Sequence, residues 1–395
     1  MSWKAVALGD VCVITGGGTP SKSNPDFYIG DIPWATVRDM NNDYIIDTDF
    51  KISKEAVKAS STNVIPKNNV IIASRVGLGK VCIIKQDTAI NQDLRGVIPK
   101  DEKALDVNYL FYWFKSISKV IIDAGRGATV HGVTLPFIKS LRIPLPSLAT
   151  QLKIVEKLDA IFAEIERATV ATEANVKNAE SLFQSYLTEV FELGGEGWLK
   201  STLDKVCKVE RGSSPRPIKD YFTESEDGVN WIKIGDTEEG GKYIFSTNQK
   251  ITKAGAEKSR YVEVGDFILT NSMSYGRPYI MRTCGYVHDG WFVLRLNGDV
   301  DSEYFYYLLT SPYVQKQFQS LAAGSVVKNI SGDLVKKTIL PMPTLEKQKE
   351  LAEIFTEKQI ILKKLSETYS EKLKEIVALR HSILKQAFNG ELVKE

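Results

Sequence analysis

Toward the end of the chain the apolar positions fall into a seven-residue rhythm. Phe355, Leu362, Tyr369, Ile376 and Ile383 are spaced by seven, and Leu351, Leu365 and Leu379 lie three residues after or four before members of that series. A two-position stripe of this kind is the seam of a coiled coil. Subtracting 197 maps the series onto Leu158, Ile165, Thr172, Ala179 and Tyr186, with Ile154, Ile161, Ala168 and Leu182 in the companion positions. The pattern predicts two copies of one helix, over residues 148–191 and 345–388, each rising roughly 65 Å at 1.5 Å per residue. Each copy follows a complete stretch of other sequence, which favours a spacer or dimerising arm over a helix lying on one domain. Small or polar seam residues in the first copy face Leu362, Leu365 and Tyr369 in the second, so the two should close on each other as an antiparallel pair.

The repeat extends beyond the helices. Trp3, Leu8, Val11 and Cys12 recur 195 residues on as Trp198, Leu203, Val206 and Cys207, and Trp34 and Asp39 recur 197 on as Trp231 and Asp236. Asp106, Tyr109 and Tyr112 match Asp301, Tyr304 and Tyr307, and Pro144, Pro146 and Gln151 match Pro341, Pro343 and Gln348. One unit of globular domain plus helix has been duplicated, with small insertions and deletions shifting the offset. The predicted boundaries are a first domain over 1–146, a helix over 147–195, a second domain over 196–343 and a helix over 344–395. Within each domain, runs such as Val70-Ile71-Ile72-Ala73, Val81-Cys82-Ile83-Ile84 and Phe267-Ile268-Leu269-Thr270 read as strands between Gly, Asn and Asp turns. Residues 107–117 and 302–309 are apolar at helical spacing. The fold class is therefore α+β, with the long helices as a separate layer, and the Pro-Leu-Pro and Pro-Met-Pro hinges mark where each long helix begins.

The chain has 395 residues and a formal net charge of +2. Residues 1–146 hold 18 basic against 14 acidic side chains, and residues 147–195 hold 4 against 8, so any anion-binding face must be a local patch. No apolar run is long enough to span a bilayer and none follows the start, so a membrane association is not expected and a cytoplasmic location is. Cys12, Cys82, Cys207 and Cys284 lie far apart, which excludes a zinc ribbon and a disulfide scaffold and marks all four as buried small residues.

Catalytic signatures are missing. Asn24-Pro25-Asp26-Phe27 resembles the Asn-Pro-Pro-Phe tetrad of adenine methyltransferases, but Asp26 breaks it and no cofactor loop accompanies it. Gly16-Gly17-Gly18 and Gly77-Leu78-Gly79-Lys80 lack dinucleotide and phosphate-loop spacing and read as turns. His131, His288 and His381 have no ligand spacing, so no catalytic or metal site is expected. What remains are polar and basic residues in turns, at related places in both copies. Thr19, Ser21, Lys22 and Arg38 answer to Ser214, Arg216 and Lys233. Arg75 and Lys80 answer to Asn271 and Arg277, and Arg126, Thr129 and His131 to Ser325 and Lys328. These side-chain types on loops are the ones that phosphate contacts and base-edge hydrogen bonds use.

The opening Trp, Gly17-Gly18-Thr19-Pro20-Ser21 followed by Asn24-Pro25, Asp31-Ile32-Pro33-Trp34, the hinge Ile143-Pro144-Leu145-Pro146 running into Gln151, and the closing Leu379-Arg380-His381-Ser382-Ile383-Leu384-Lys385-Gln386-Ala387-Phe388-Asn389-Gly390 together resemble the specificity subunit of type I restriction–modification systems. The resemblance covers essentially the whole chain. It implies two target-recognition domains, each reading one half of a split double-stranded DNA sequence, held apart by two antiparallel helices. It further implies docking of two methyltransferase subunits, which would carry S-adenosylmethionine, and of restriction subunits, with no cofactor on this chain. The second copy departs from the pattern, with Arg211-Gly212-Ser213-Ser214-Pro215 in place of Gly-Gly-Thr-Pro. Two other readings stay open at this stage, a free-standing DNA methyltransferase and a coiled-coil scaffold without a DNA role.

Overall fold

The computed structural model describes residues 3–126, 132–238, 240–271, 276–323 and 332–393. The chain divides into two compact units, Met1–Thr172 with Glu371–Glu395, and Glu173–Ser370.

In the first unit one sheet runs, in order, Cys12–Gly16, Leu94–Pro99, Val70–Ala73, Val81–Ile84 and Tyr44–Ile45. A second runs Lys51–Ile52, Ile32–Ala35, Thr88–Ile90 and Asn63–Ile65. Neighbours are antiparallel, except that Tyr44–Ile45 lies parallel to Val81–Ile84 and Ile32–Ala35 parallel to Thr88–Ile90. Val70–Ala73 and Val81–Ile84 are buried at every position. Val70, Ile72, Val81 and Ile83 face a core shared with the helix Val107–Ser116, while Ile71, Ala73, Cys82 and Ile84 face one shared with Ile45, Ile65 and Ile90. Burial on both faces is why these strands read as continuous apolar runs instead of alternating ones.

The helix Val107–Ser116 starts where Asp106 accepts a hydrogen bond from the Tyr109 N–H at 2.9 Å, and it buries Tyr109 through Phe114 without a break. The second unit repeats the first sheet as Cys207–Arg211, Trp291–Leu296, Phe267–Thr270, Pro278–Met281 and Tyr243–Ile244, with Asp301 capping the helix Ser302–Thr310.

The two long helices are Leu148–Leu193 and Leu345–Phe388. Each unit holds the start of one and the end of the other, so within each unit the segments run antiparallel. In the first unit Ile154, Leu158, Phe162 and Ile165 share a core with Ile383, Leu384 and Ala387. In the second, Phe183, Leu187 and Phe191 share one with Leu351, Ala352 and Phe355. Ile161, Leu362 and Ile376 are half-buried against these cores, and Tyr369 is half-buried.

Four positions expected in the seam are not there. Leu182, Leu365 and Leu379 are 58%, 39% and 50% exposed, and Ala168 is exposed. Phe183 and Leu187 take the inward places instead, because this part of the helix packs on Tyr307 of the domain as well as on the other long helix. A surface broader than a two-helix seam follows 3.6 residues per turn, and a strict seven-residue series drifts off it.

At the root of each long helix sits the same polar clamp. Gln151 is fully buried; its Oε1 accepts from the Asp106 N–H at 2.9 Å and its amide donates to the carbonyls of Ala104 and Pro146 at 2.8 and 3.0 Å. Gln348 does the same with Asp301 and Pro343, at 2.9 and 3.0 Å. Replacing Gln151 by Leu leaves a buried N–H and two carbonyls without partners, so we expect a loss of about 1–3 kcal/mol. Melting monitored by calorimetry should show the first unit's transition falling while the second keeps its temperature; coincident, unshifted transitions would mean the clamp is dispensable.

Cys12, Cys82 and Cys207 are buried, and burial pushes each thiol up to about 12. Cys284 is exposed, contrary to the reading of all four as core residues, since it sits in the turn just before the strand Gly285–Val287. Among the described residues no helix is long and apolar enough to cross a membrane.

Candidate nucleic-acid interface

The glycine run of the first unit is a packing device. A Cβ on Gly17 would come within 2.1 Å of the Asn91 carbonyl oxygen, and one on Gly212, its equivalent, within 2.0 Å of that of His288. This close approach brings the loop after each first strand against the turn that follows the parallel strand of the second sheet. Thr19 then donates to the Gln92 side chain, and Ser214 to Asp289 at 3.1 Å; Gln92 and Asp289 are themselves repeat partners. The divergent second-copy loop thus keeps the same hydrogen bond with different side chains.

Beside this turn each unit has a short 3₁₀ turn held by one carboxylate. Asp39 accepts from the backbone N–H of Thr36 at 2.7 Å and from that of Asp49 at 2.9 Å, and Asp236 accepts from the backbone N–H of Lys233 at 2.8 Å. In the first unit the loop, the turn and the 3₁₀ segment enclose a cavity of about 550 Å³ whose lining includes Lys22, Tyr28, Trp34, Arg38, Phe50 and Asn91. Trp34 is buried, donates its indole N–H to the Gly18 carbonyl at 3.2 Å, and meets Tyr28 and Phe50 edge to face. Lys22 and Arg38 are exposed at the rim. The floor is therefore rigid and apolar, the rim is cationic, and Asn91 and Asp93 offer hydrogen-bonding groups between them.

The corresponding place in the second unit has other chemistry. Trp231 and Trp291 flank the His288 ring at centroid distances of 6.2 and 6.1 Å. Burial lowers the His288 pKa from its ordinary value, against the raising effect of Asp289 and Asp236. Burial opposes ionisation of Asp289, yet its hydrogen bond from Ser214 and the His288 and Arg216 charges hold it below the usual carboxylate range. Arg216 reaches it at 3.3 Å. Position 36 is Thr where 233 is Lys, and 91 is Asn where 288 is His.

The remaining expected contacts divide. Ser21 bonds Ser23 at the exposed start of the loop. Arg75 is exposed in the turn after Val70–Ala73 and lies near enough to Arg95 that its charge, after burial, lowers the Arg95 pKa. Lys80 lines a separate depression. Arg277 is exposed, its N–H bonded to Thr270. Asn271, expected among the DNA contacts, is buried; its amide donates to the Asp289 carbonyl at 2.9 Å, just as Ser74 donates to the Asp93 carbonyl at 3.0 Å, so both pin the turn from below. Thr129, His131, Ser325 and Lys328 lie outside the described residues, and of Arg126 only the backbone, at the end of the helix Ser118–Arg126, is described. The sequence reading missed Tyr28, Phe50, Asn91, Gln92, Asp93, His288 and Asp289. The offset of 197 that pairs the two tryptophans also pairs Asn91 with His288 and Gln92 with Asp289, but dissimilar residues hide the match. Among the described residues no group of His, Cys, Asp and Glu is arranged to hold a metal ion.

A family model described as the type I restriction modification DNA specificity domain matches residues 1–175 and 195–375. The chain is 30% identical over 237 residues to the MjaIX specificity subunit of Methanocaldococcus jannaschii, covering 56% of this chain and 55% of that one. It is 31% identical over 198 residues to the EcoR124I/EcoR124II specificity subunit of Escherichia coli, covering 48% of each. The matched stretches thus span about half the length of these relatives. A solved structure described as showing complex assembly and conformational transition of the type I R-M system superposes with a TM-score of 0.77 at 20% identity, over 99% of this chain and 98% of that one. The HsdS subunit from Thermoanaerobacter tengcongensis superposes with a TM-score of 0.65 at 20% identity, over 99% and 97%.

Proposed function

The chain belongs to the type I restriction modification DNA specificity family, and on that premise we propose that it is a non-catalytic subunit that reads a bipartite, asymmetric DNA target. In this reading it directs two methyltransferase subunits and the restriction subunits to that target, with S-adenosylmethionine bound by the methyltransferase and not by this chain. One observation carries the asymmetry. The two units share the Trp, the glycine contact and the loop-to-turn hydrogen bond, but present Thr36, Arg38, Asn91 and Gln92 in one and Lys233, Gly235, His288 and Asp289 in the other. A common frame holding different donors and acceptors is what two unlike half-sites require.

In this reading Lys22, Arg38 and Arg75, with Arg216, Lys233 and Arg277, supply phosphate or base-edge contacts. Thr19, Ser214 and Asn271 hold the turns that position them. Selection from random duplex pools, with and without a methyltransferase partner, tests it. The expected product is one sequence in two unlike halves separated by a fixed non-specific spacer; recovery of unselected DNA under both conditions would exclude a recognition role. A palindromic product would exclude the asymmetric one.

A further inference from the structure

Two stretches of the first unit lead out of the reading cavity in the same direction. Val37, Arg38 and Val76 line the cavity, and a few residues further along the same two stretches Asn41, Asp43 and Lys80 line a neighbouring depression of about 240 Å³. Its other wall is the end of the second long helix, which contributes Arg380 and His381, with Lys115 from the helix Val107–Ser116 beneath.

The charges here do not balance. Asp43 is the carboxylate among the lining residues; one oxygen receives Lys115 at 2.5 Å and the other faces Arg380 at 3.9 Å. Arg380 lies over the Phe162 ring at 4.8 Å, which holds its guanidinium at the wall. Three basic side chains thus line a depression that holds one carboxylate, which Lys115 and Arg380 already engage, and His381 adds a ring donor. The equivalent place in the second unit is built otherwise. Thr310 stands for Lys115, Phe183 for Arg380 and Gln184 for His381, and only Lys80 has a cationic equivalent, Arg277. Phe183 packs on Tyr307 there at a ring distance of 5.8 Å, and the cation at that place, Lys242, stands where Asp43 does, over the Tyr307 ring at 5.2 Å and already paired with Glu303, so that cation is not left over.

We propose that this depression is a phosphate-binding site for the DNA backbone beside the first half-site, built jointly by Lys80, Lys115 and the Arg380–His381 step of the second long helix. The proposal rests on the DNA-recognition reading and adds that the helix layer itself touches DNA, on one side only. A phosphodiester oxygen seated between Lys80 and Arg380 completes the charge that Asp43 leaves over, and its neighbours along the strand continue over the rim of the reading cavity. Such contacts fix register without reading sequence.

The test uses the full chain with Arg380→Gln, which keeps a stem over Phe162, and Lys80→Ala in the exposed turn, each checked by melting for an unaltered fold. Binding is measured against potassium chloride on duplexes keeping the first half-site only, the second only, or neither. Each variant is expected to lower the salt slope by about one on the first-half duplex, so that its deficit against the parent changes about threefold between 50 and 200 mM salt. On the second-half duplex the variants should match the parent. An unchanged slope overturns the proposal, as does a loss confined to one base position. So does a loss seen only in assembly with a methyltransferase, which would make the depression a protein contact. A tenfold excess of inorganic phosphate that abolishes the difference at constant ionic strength would mark a free-anion site and also overturn it. Failure of the parent to prefer any sequence would defeat the recognition reading instead, while the slope comparison on non-specific duplex would still stand.

Discussion

Phe355→Ala is expected to destabilise the second unit by about 3–5 kcal/mol. The ring is fully buried and stands among Tyr186, Phe191 and Tyr307 at centroid distances of 6.0, 5.5 and 5.5 Å. Truncation removes its transfer free energy and leaves a cavity between two helices and a domain, where three aromatic neighbours cannot all shift inward. For a unit of this size the loss corresponds to a fall of roughly 6–20 °C in its melting temperature. Leu365, a seam position by sequence but 39% exposed, should cost less than about 1 kcal/mol when cut to Ala. Calorimetry on the two variants separates the accounts: equal losses would mean that the seven-residue series, and not the observed packing, describes the helix contacts.

Arg38→Ala should abolish discrimination at one base pair of the first half-site and leave the second untouched. The residue sits in the middle of the turn Val37–Asp39, whose ends are held by Asp39 through the Thr36 and Asp49 N–H groups, so its guanidinium starts from a fixed backbone at the cavity rim. A bidentate contact to a base edge is worth about 1–3 kcal/mol, which is roughly 5- to 150-fold in relative affinity. Arg216→Ala is the matching change in the second unit. Its ion pair with Asp289 is largely exposed, so folding should tolerate the loss, and the effect should fall on the second half-site alone. Competition with a panel of single-base variants reads both outcomes. Uniform weakening across the panel would assign either arginine to the phosphates, and no effect would remove it from the interface.

Much of the fold was legible because it is encoded locally. The strands Val70–Ala73, Val81–Ile84 and Phe267–Thr270 stand where continuous apolar runs between turn residues placed them. The prolines before Leu148 and Leu345 mark the two long helices, and the duplication follows from comparing the chain with itself. The candidate site was legible in its cations and in the loop hydroxyls Thr19 and Ser214. Lys22 and Arg38 could be singled out as exposed basic loop residues, but nothing local says that Tyr28, Trp34 and Phe50 meet beneath them, or that Asn271 turns inward to hold the Asp289 carbonyl.

The sequence by itself determined the elements, their repetition, the hinges at Gln151 and Gln348 and the family, since each depends on residues close in the chain or on a match between its halves. The antiparallel pairing of the long helices was also expected, but only the tertiary structure decided where the pair divides between the compact units, Glu371–Glu395 joining Met1–Thr172. It alone also put Phe183 and Leu187 inside while leaving Leu182 out, and set Lys80 and Arg380 on the lining of one depression. These are contacts between segments up to some three hundred residues apart, chosen by which surfaces bury the most apolar area once antiparallel helices and sheets are packed together, and no short window of sequence carries that choice.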